Sequence, residues 1–162
     1  MIIVAGRGFD KEQQNYVFLN TVFMIDVKEG KFEELAELPS AICGHCSSLI
    51  DNRYLLLYGG TNGLRFFDSL IRYDLEKKQS LLMVHPPSHL SSSPLLKHGR
   101  ISCSMVNTQE HSVESDDASK EREDFIVLFG GSSIEREHNE VDVIPVEFVR
   151  EDKNFAEINE IM

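Results

Sequence analysis

Tyr54-Leu55-Leu56-Leu57-Tyr58-Gly59-Gly60 is followed, eight residues after its second glycine, by Asp68-Ser69-Leu70-Ile71-Arg72-Tyr73-Asp74. These two stretches decide the fold. The first is apolar and aromatic, ends on turn formers and is too short for a helix, so it reads as a strand buried on both faces. The second opens on a polar residue and runs through another strand into Asp74. A polar turn, Glu76-Lys77-Lys78, leads on to Ser80-Leu81-Leu82-Met83-Val84. Upstream, His45-Cys46-Ser47-Ser48-Leu49-Ile50 supplies a strand before the turn at Asp51-Asn52. The unit is four antiparallel strands.

The same pattern recurs on both sides. Ile2-Ile3-Val4-Ala5-Gly6 and Phe125-Ile126-Val127-Leu128-Phe129-Gly130-Gly131 repeat the first stretch. Asn20 to Asp26 and Asn139 to Pro145 repeat the second. The gap from Gly131 to Asn139 is again eight residues, whereas that from Gly6 to Asn20 is longer; the next landmark (Asp26, Asp74, Pro145) lies six residues on in every unit. Closing strands are expected at Phe32-Glu33-Glu34-Leu35 and Phe155-Ala156-Glu157-Ile158, and an opening strand at Ile101 to Val106. Successive units are 54 residues apart (Gly6 to Gly60) and 71 apart (Gly60 to Gly131).

A period near 50 with a diglycine closing the second strand resembles the kelch repeat. His45, Ser47, Gly59, Gly60, Asp68 and Tyr73-Asp74 stand in kelch-like order. The resemblance implies an all-β fold, with antiparallel four-stranded blades of a kelch-type β-propeller and about three blades. Residues 1–38 form a blade lacking its first strand, 39–84 a complete blade, and 85–162 a third blade with a disordered acidic insert at 107–124. That insert includes EHSVESDDASKERED, Glu110 to Asp124. The chain departs from the family pattern in lacking Trp (Phe32 stands in for it), in Ala5-Gly6 for the first diglycine, and in Ile144-Pro145 where Tyr-Asp is expected. Gly6, Gly59, Gly60, Gly130, Gly131, Asn20, Asp68 and Asn139 are read as structural: the glycines admit close backbone approach, and the polar residues hold turns. Three blades leave uncovered sheet faces, so a homodimer or the remaining blades of a longer chain is expected to close the ring.

Composition narrows the function. The chain has no run of about 18 apolar residues, so no membrane span is expected. Its start is too short and lacks the basic flank of a signal peptide. Three cysteines suit a reducing, cytoplasmic setting, and a net charge of −11 argues against nucleic-acid binding.

Several motifs suggest chemistry that their context opposes. Cys43-Gly44-His45-Cys46 spells the tetrapeptide of disulfide isomerases, but leads into a strand and lacks a βαβ setting, so a thiol oxidoreductase is a remote alternative. A zinc site joining these residues to Cys103 lacks a second CxxC, and Pro86-Pro87 between His85 and His89 prevents the helical alignment that would make this HxxxH a ligand pair. Gly6-Arg7-Gly8 opens like a dinucleotide fingerprint, but Lys11 replaces its third glycine. No catalytic residue, metal or cofactor is assigned.

Kelch proteins commonly bind other proteins with the loops between second and third strands and those entering the next blade. Here these are Arg7 to Leu19, Thr61 to Phe67 and Ser132 to His138, together with Pro39 to Gly44 and His85 to Arg100. They carry Arg7, Arg65, Phe66, Arg100 and Arg136, residue types that dominate interface hot spots. The resemblance implies a non-catalytic protein-interaction module, such as the substrate-recognition part of a ubiquitin-ligase adaptor or a scaffold, with a protein or peptide partner that is acidic or phosphorylated. The alternative is a propeller enzyme acting on sugars, of mutarotase or copper-oxidase type; its tyrosine ligands would come from Tyr16, Tyr54, Tyr58 and Tyr73, most of which fall in expected strands.

Overall fold

A computed structural model describes residues 1–83, 99–108 and 124–157. Three antiparallel sheets make up the structure. The first holds β1 (Ile2–Asp10), β2 (Asn15–Asp26) and β3 (Lys31–Leu35) in that order. The middle sheet is built from β4 (Cys46–Ile50), β5 (Tyr54–Tyr58), β6 (Leu70–Asp74) and β7 (Gln79–Met83). The third holds β8 (Ser104–Asn107), β9 (Phe125–Phe129) and β10 (Val141–Pro145). The fold is all-β with propeller-type blades, as the repeats imply.

The alternation of side chains explains the packing. Leu55, Leu57, Ile71 and Tyr73 of the middle sheet face Val22 and Leu35 of the first and form one core. Leu56, Tyr58 and Leu70 point the other way and pack with Met105, Ile126, Leu128 and Ile144 of the third sheet. The middle sheet is therefore buried on both faces. Between the inner strands β4 and β8, the Asn107 amide donates to the Leu49 carbonyl (2.7 Å) and to the Ser48 hydroxyl (3.2 Å).

The recurring aspartate has a defined task. Asp26 accepts hydrogen bonds from the Lys28 and Glu29 amides, and Asp74 from those of Glu76 and Lys77, so each carboxylate closes the turn after its strand. Burial alone would raise the pKa of Asp74, but the hydrogen bonds from Arg53 and these amides outweigh it and hold the carboxyl below its ordinary value. Asn20 also makes a side-chain bond, to Glu37 and the Leu38 carbonyl, whereas Asp68 and Asn139 are exposed.

Two expectations are corrected. Arg7 to Leu19 is not a loop: β1 and β2 pair as far as Asp10 and Asn15, past a bulge between Val4 and Gly6, so the first sheet extends a β-hairpin arm. In the third unit, Pro145 stands where the turn-closing aspartate is absent, and the chain enters α1 (Val146–Arg150) and a short 3₁₀ turn, Asp152–Asn154. The closing strand β11 (Phe155–Glu157) does form, but it pairs with β7 and makes the middle sheet five-stranded. Arg150 grips Asp51 through two nitrogens (2.8 and 2.9 Å) and fixes this segment to the β4–β5 turn. Most of the acidic insert, residues 109–123, lies outside the described residues, as does most of the loop His85 to Arg100.

Candidate functional site

The glycine pair lies where backbone crosses the end of a sheet. The linker entering the middle sheet bonds to its β5–β6 loop through Cys43 and Thr61, each amide donating to the other's carbonyl at 2.9 Å. Ile101 and Ser132 repeat this exchange, also at 2.9 Å, where the third sheet is entered. The outgoing linker then passes over Gly59, and the Gly60 amide donates to the Arg100 carbonyl at 2.8 Å. The β5–β6 and β9–β10 loops are thus held at one end of neighbouring sheets.

Each loop is braced internally. Thr61 Oγ1 donates to the Arg65 carbonyl (2.8 Å) and accepts from the Gly63 amide (3.0 Å), while Asn62 accepts from Leu64 and Arg65. In the second loop Ser133 accepts from the Glu135 and Arg136 amides. This bracing turns an aliphatic residue outward from each loop: Leu64 is 93% exposed and Ile134 86%. A groove of about 410 Å³ lies between them, lined by Leu64, Arg65, Phe66, Gly99, Ile134 and Glu135 among others.

The five residues singled out by sequence fare differently. Arg65 is exposed, its guanidinium carbon 4.7 Å from the centre of the Phe67 ring, and among the described residues it makes no ion pair. Phe66 is half-buried in the groove wall. Arg136 occupies the position equivalent to Arg65 but is bound to Glu140 at 2.6 Å. Arg7 lies on the arm, stacked 4.5 Å over Tyr16, which meets Phe9 edge-on at 5.3 Å. The arm reaches the same surface, because the Phe18 ring packs against Gly63. Arg100 does not belong to the surface. It is 2% exposed and donates to the Gly130 carbonyl at 3.0 Å, so it ties the middle and third sheets together.

Sequence reasoning missed Leu64 and Ile134. Their signal is a lone aliphatic residue inside a polar turn, Asn62-Gly63-Leu64 and Ser133-Ile134-Glu135. Of the tyrosines, Tyr58 and Tyr73 are core residues, the Tyr73 hydroxyl donating to the Ala36 carbonyl at 2.9 Å. Among the described residues no three His, Cys, Asp or Glu side chains cluster as a metal site, and no helix is long and apolar enough to cross a membrane.

His138, at the base of the β9–β10 loop, is buried beside Glu140. Burial, then repulsion from Arg100 and Arg136, holds its pKa below the ordinary 6.5 despite Glu140. His45 is lowered by burial as well. Since the folded state binds fewer protons on these imidazoles than the unfolded chain, stability falls as pH drops through 6.5 and levels off below the depressed folded values. Urea midpoints between neutral pH and about pH 5 should show this loss, and His138→Gln should flatten it. An unchanged slope in the variant would contradict the assignment.

The family model of the Kelch motif matches residues 42–80, from the incoming linker into β7. No curated protein matches the chain. The middle unit thus carries a kelch repeat.

Proposed function

We propose that this kelch-repeat chain is a non-catalytic protein-interaction module that holds an extended acidic segment of a protein partner across the loop face. The observation that carries this reading is the pair of exposed aliphatic tips, Leu64 and Ile134, on internally braced loops flanking one groove. Apolar side chains turned out by rigid loops lose little conformational freedom on binding. Arg65, lying on the Phe67 ring at the groove wall, supplies the charge that a carboxylate or phosphate would meet. Phe9, Tyr16 and Arg7 on the arm extend the surface with hot-spot residue types. Recognition of substrates for a ubiquitin-ligase adaptor, or scaffolding in the cytoplasm, is the role we assign to it. A second association, with another copy or with further blades, covers the outer sheets.

Peptides selected from a display library on the chain test the reading. Leu64→Ser with Ile134→Ser should weaken the selected peptides about tenfold or more, equivalent to about 1.4 kcal/mol. Arg65→Ala should act most on acidic ones. Phe32→Ser, at the other end of the first sheet, should leave them unchanged. Affinity lost with Phe32→Ser and kept in the loop variants would refute it.

A further inference from the structure

We propose that Cys46 and Cys103 form a thiol–disulfide exchange site at which a small disulfide oxidant cross-links the middle and third sheets. Cys46 opens β4 and Cys103 stands just before β8, so the two meet at the entry to the facing inner strands of neighbouring sheets. They are 57 residues apart in sequence, yet their sulfurs lie 2.7 Å apart and share a hydrogen bond. A disulfide requires about 2.05 Å, so closure needs less than an ångström of movement. The backbone on either side is already fixed: the Ser102 amide donates to the Gly44 carbonyl at 2.7 Å, and Asn107 bonds to Leu49 at 2.7 Å. Cys43, which the tetrapeptide Cys43-Gly44-His45-Cys46 would make the partner, is instead engaged through its backbone with Thr61.

The two thiols are unlike. Cys46 is buried, and its hydrogen bond with Cys103 followed by burial pushes its pKa up. Cys103 is half-buried, and that same hydrogen bond, aided by Arg100, holds its pKa below the ordinary value despite partial burial. Cys103 is the more exposed of the two, so it is the thiol that an oxidant reaches, and the buried Cys46 resolves the mixed disulfide. The Cys103 thiolate attacks one sulfur of the oxidant, and the S–S bond of the oxidant breaks and expels a thiolate. Cys46 then attacks the Cys103 sulfur of the mixed disulfide, expelling the second small thiolate, which takes up the Cys46 proton. The first thiolate takes a proton from water, replacing the one Cys103 had released. In sum, two protein thiols are oxidised to one disulfide, and one small disulfide is reduced to two thiols. The cross-link joins two sheets that share no ladder of hydrogen bonds, beside the linker that carries Arg100 under the loop face.

The test treats the full chain with oxidised glutathione, then counts thiols in denaturant and maps non-reduced peptides by mass. The expected result is a fall from three free thiols to one, with a joined peptide pair holding Cys46 and Cys103. Tm should rise by a few degrees and return on reduction. Cys43→Ser should leave the cross-link intact, and Cys103→Ser should abolish it. The wild-type peptide map stands even if a variant folds poorly. Retention of three thiols, a Cys43–Cys46 link, or links only between chains would each overturn the proposal.

Discussion

Gly59→Val should leave little folded protein at ambient temperature. Gly59 adopts φ +74°, and a Cβ there would sit 2.3 Å from the Arg100 carbonyl oxygen. That oxygen is fixed backbone, since it accepts the Gly60 amide. The left-handed conformation costs a non-glycine residue about 1–2 kcal/mol, and displacing the linker adds a few kcal/mol more. Together these approach the whole stability of a typical domain, about 5–15 kcal/mol. Gly130 is the control. Its φ is also positive, +68°, but a Cβ there meets nothing closer than the His138 carbonyl at 3.4 Å. Gly130→Ala should therefore cost only the backbone strain, about 1–2 kcal/mol. Thermal melts showing equal losses at the two positions would mean that the linker does not cross Gly59 as described.

Arg72→Ala should be nearly as damaging, with a distinct signature. The Arg72 side chain is fully buried, with its guanidinium carbon 4.9 Å from the Tyr54 ring centre and 4.5 Å from that of Phe155. It donates to the Val149 carbonyl at 2.6 Å and to Asp152 at 2.5 Å. Truncation empties a cavity and leaves a carbonyl without its partner, at a cost of about 3 kcal/mol or more. Asp152 is mostly exposed, so the ion pair itself contributes little of that. The loss should appear first in the segment that Arg72 holds. Hydrogen exchange over residues 146–157 should accelerate ahead of exchange in β5 and β6. Uniform acceleration across the chain would show that this segment is not separately anchored.

Much of this was legible in the sequence, because the repeat fixes spacing and spacing fixes strands. Tyr54 to Gly60 and Asp68 to Asp74 became β5, β6 and the loop between them, whereas the turn-closing bonds fall to Asp26 and Asp74 rather than to Asp68 and Asn139, which are exposed. The third unit shows what a repeat cannot carry. Pro145 was visible as a departure, but its consequence, a helix and a strand donated to the middle sheet, depends on a pocket for Arg72 built from distant residues. The arm was hidden for a similar reason: Arg7 to Leu19 lacks a simple apolar alternation, and its strands are set by register with each other. Arginines were readable as candidates by type but not by burial. Arg65 reaches the surface and Arg100 is enclosed between sheets, a difference that only tertiary packing makes.

The three sheets are adjoining propeller-type blades, and the middle one carries the kelch repeat. The middle sheet is covered on both faces. Among the described residues the outer faces of its neighbours are not: Ile3 and Phe32 stand exposed on the first sheet, and Val106, Phe129, Val141 and Val143 on the third. Covering about 400 Å² of such apolar surface is worth about 10 kcal/mol, so the faces should find partners. Light scattering on the 162-residue chain across a range of micromolar concentrations measures this directly. The mass should rise with concentration, and the rise should weaken when Phe129 and Val141 are both replaced by Ser. A cooperative monomer of 18.4 kDa at every concentration would contradict it.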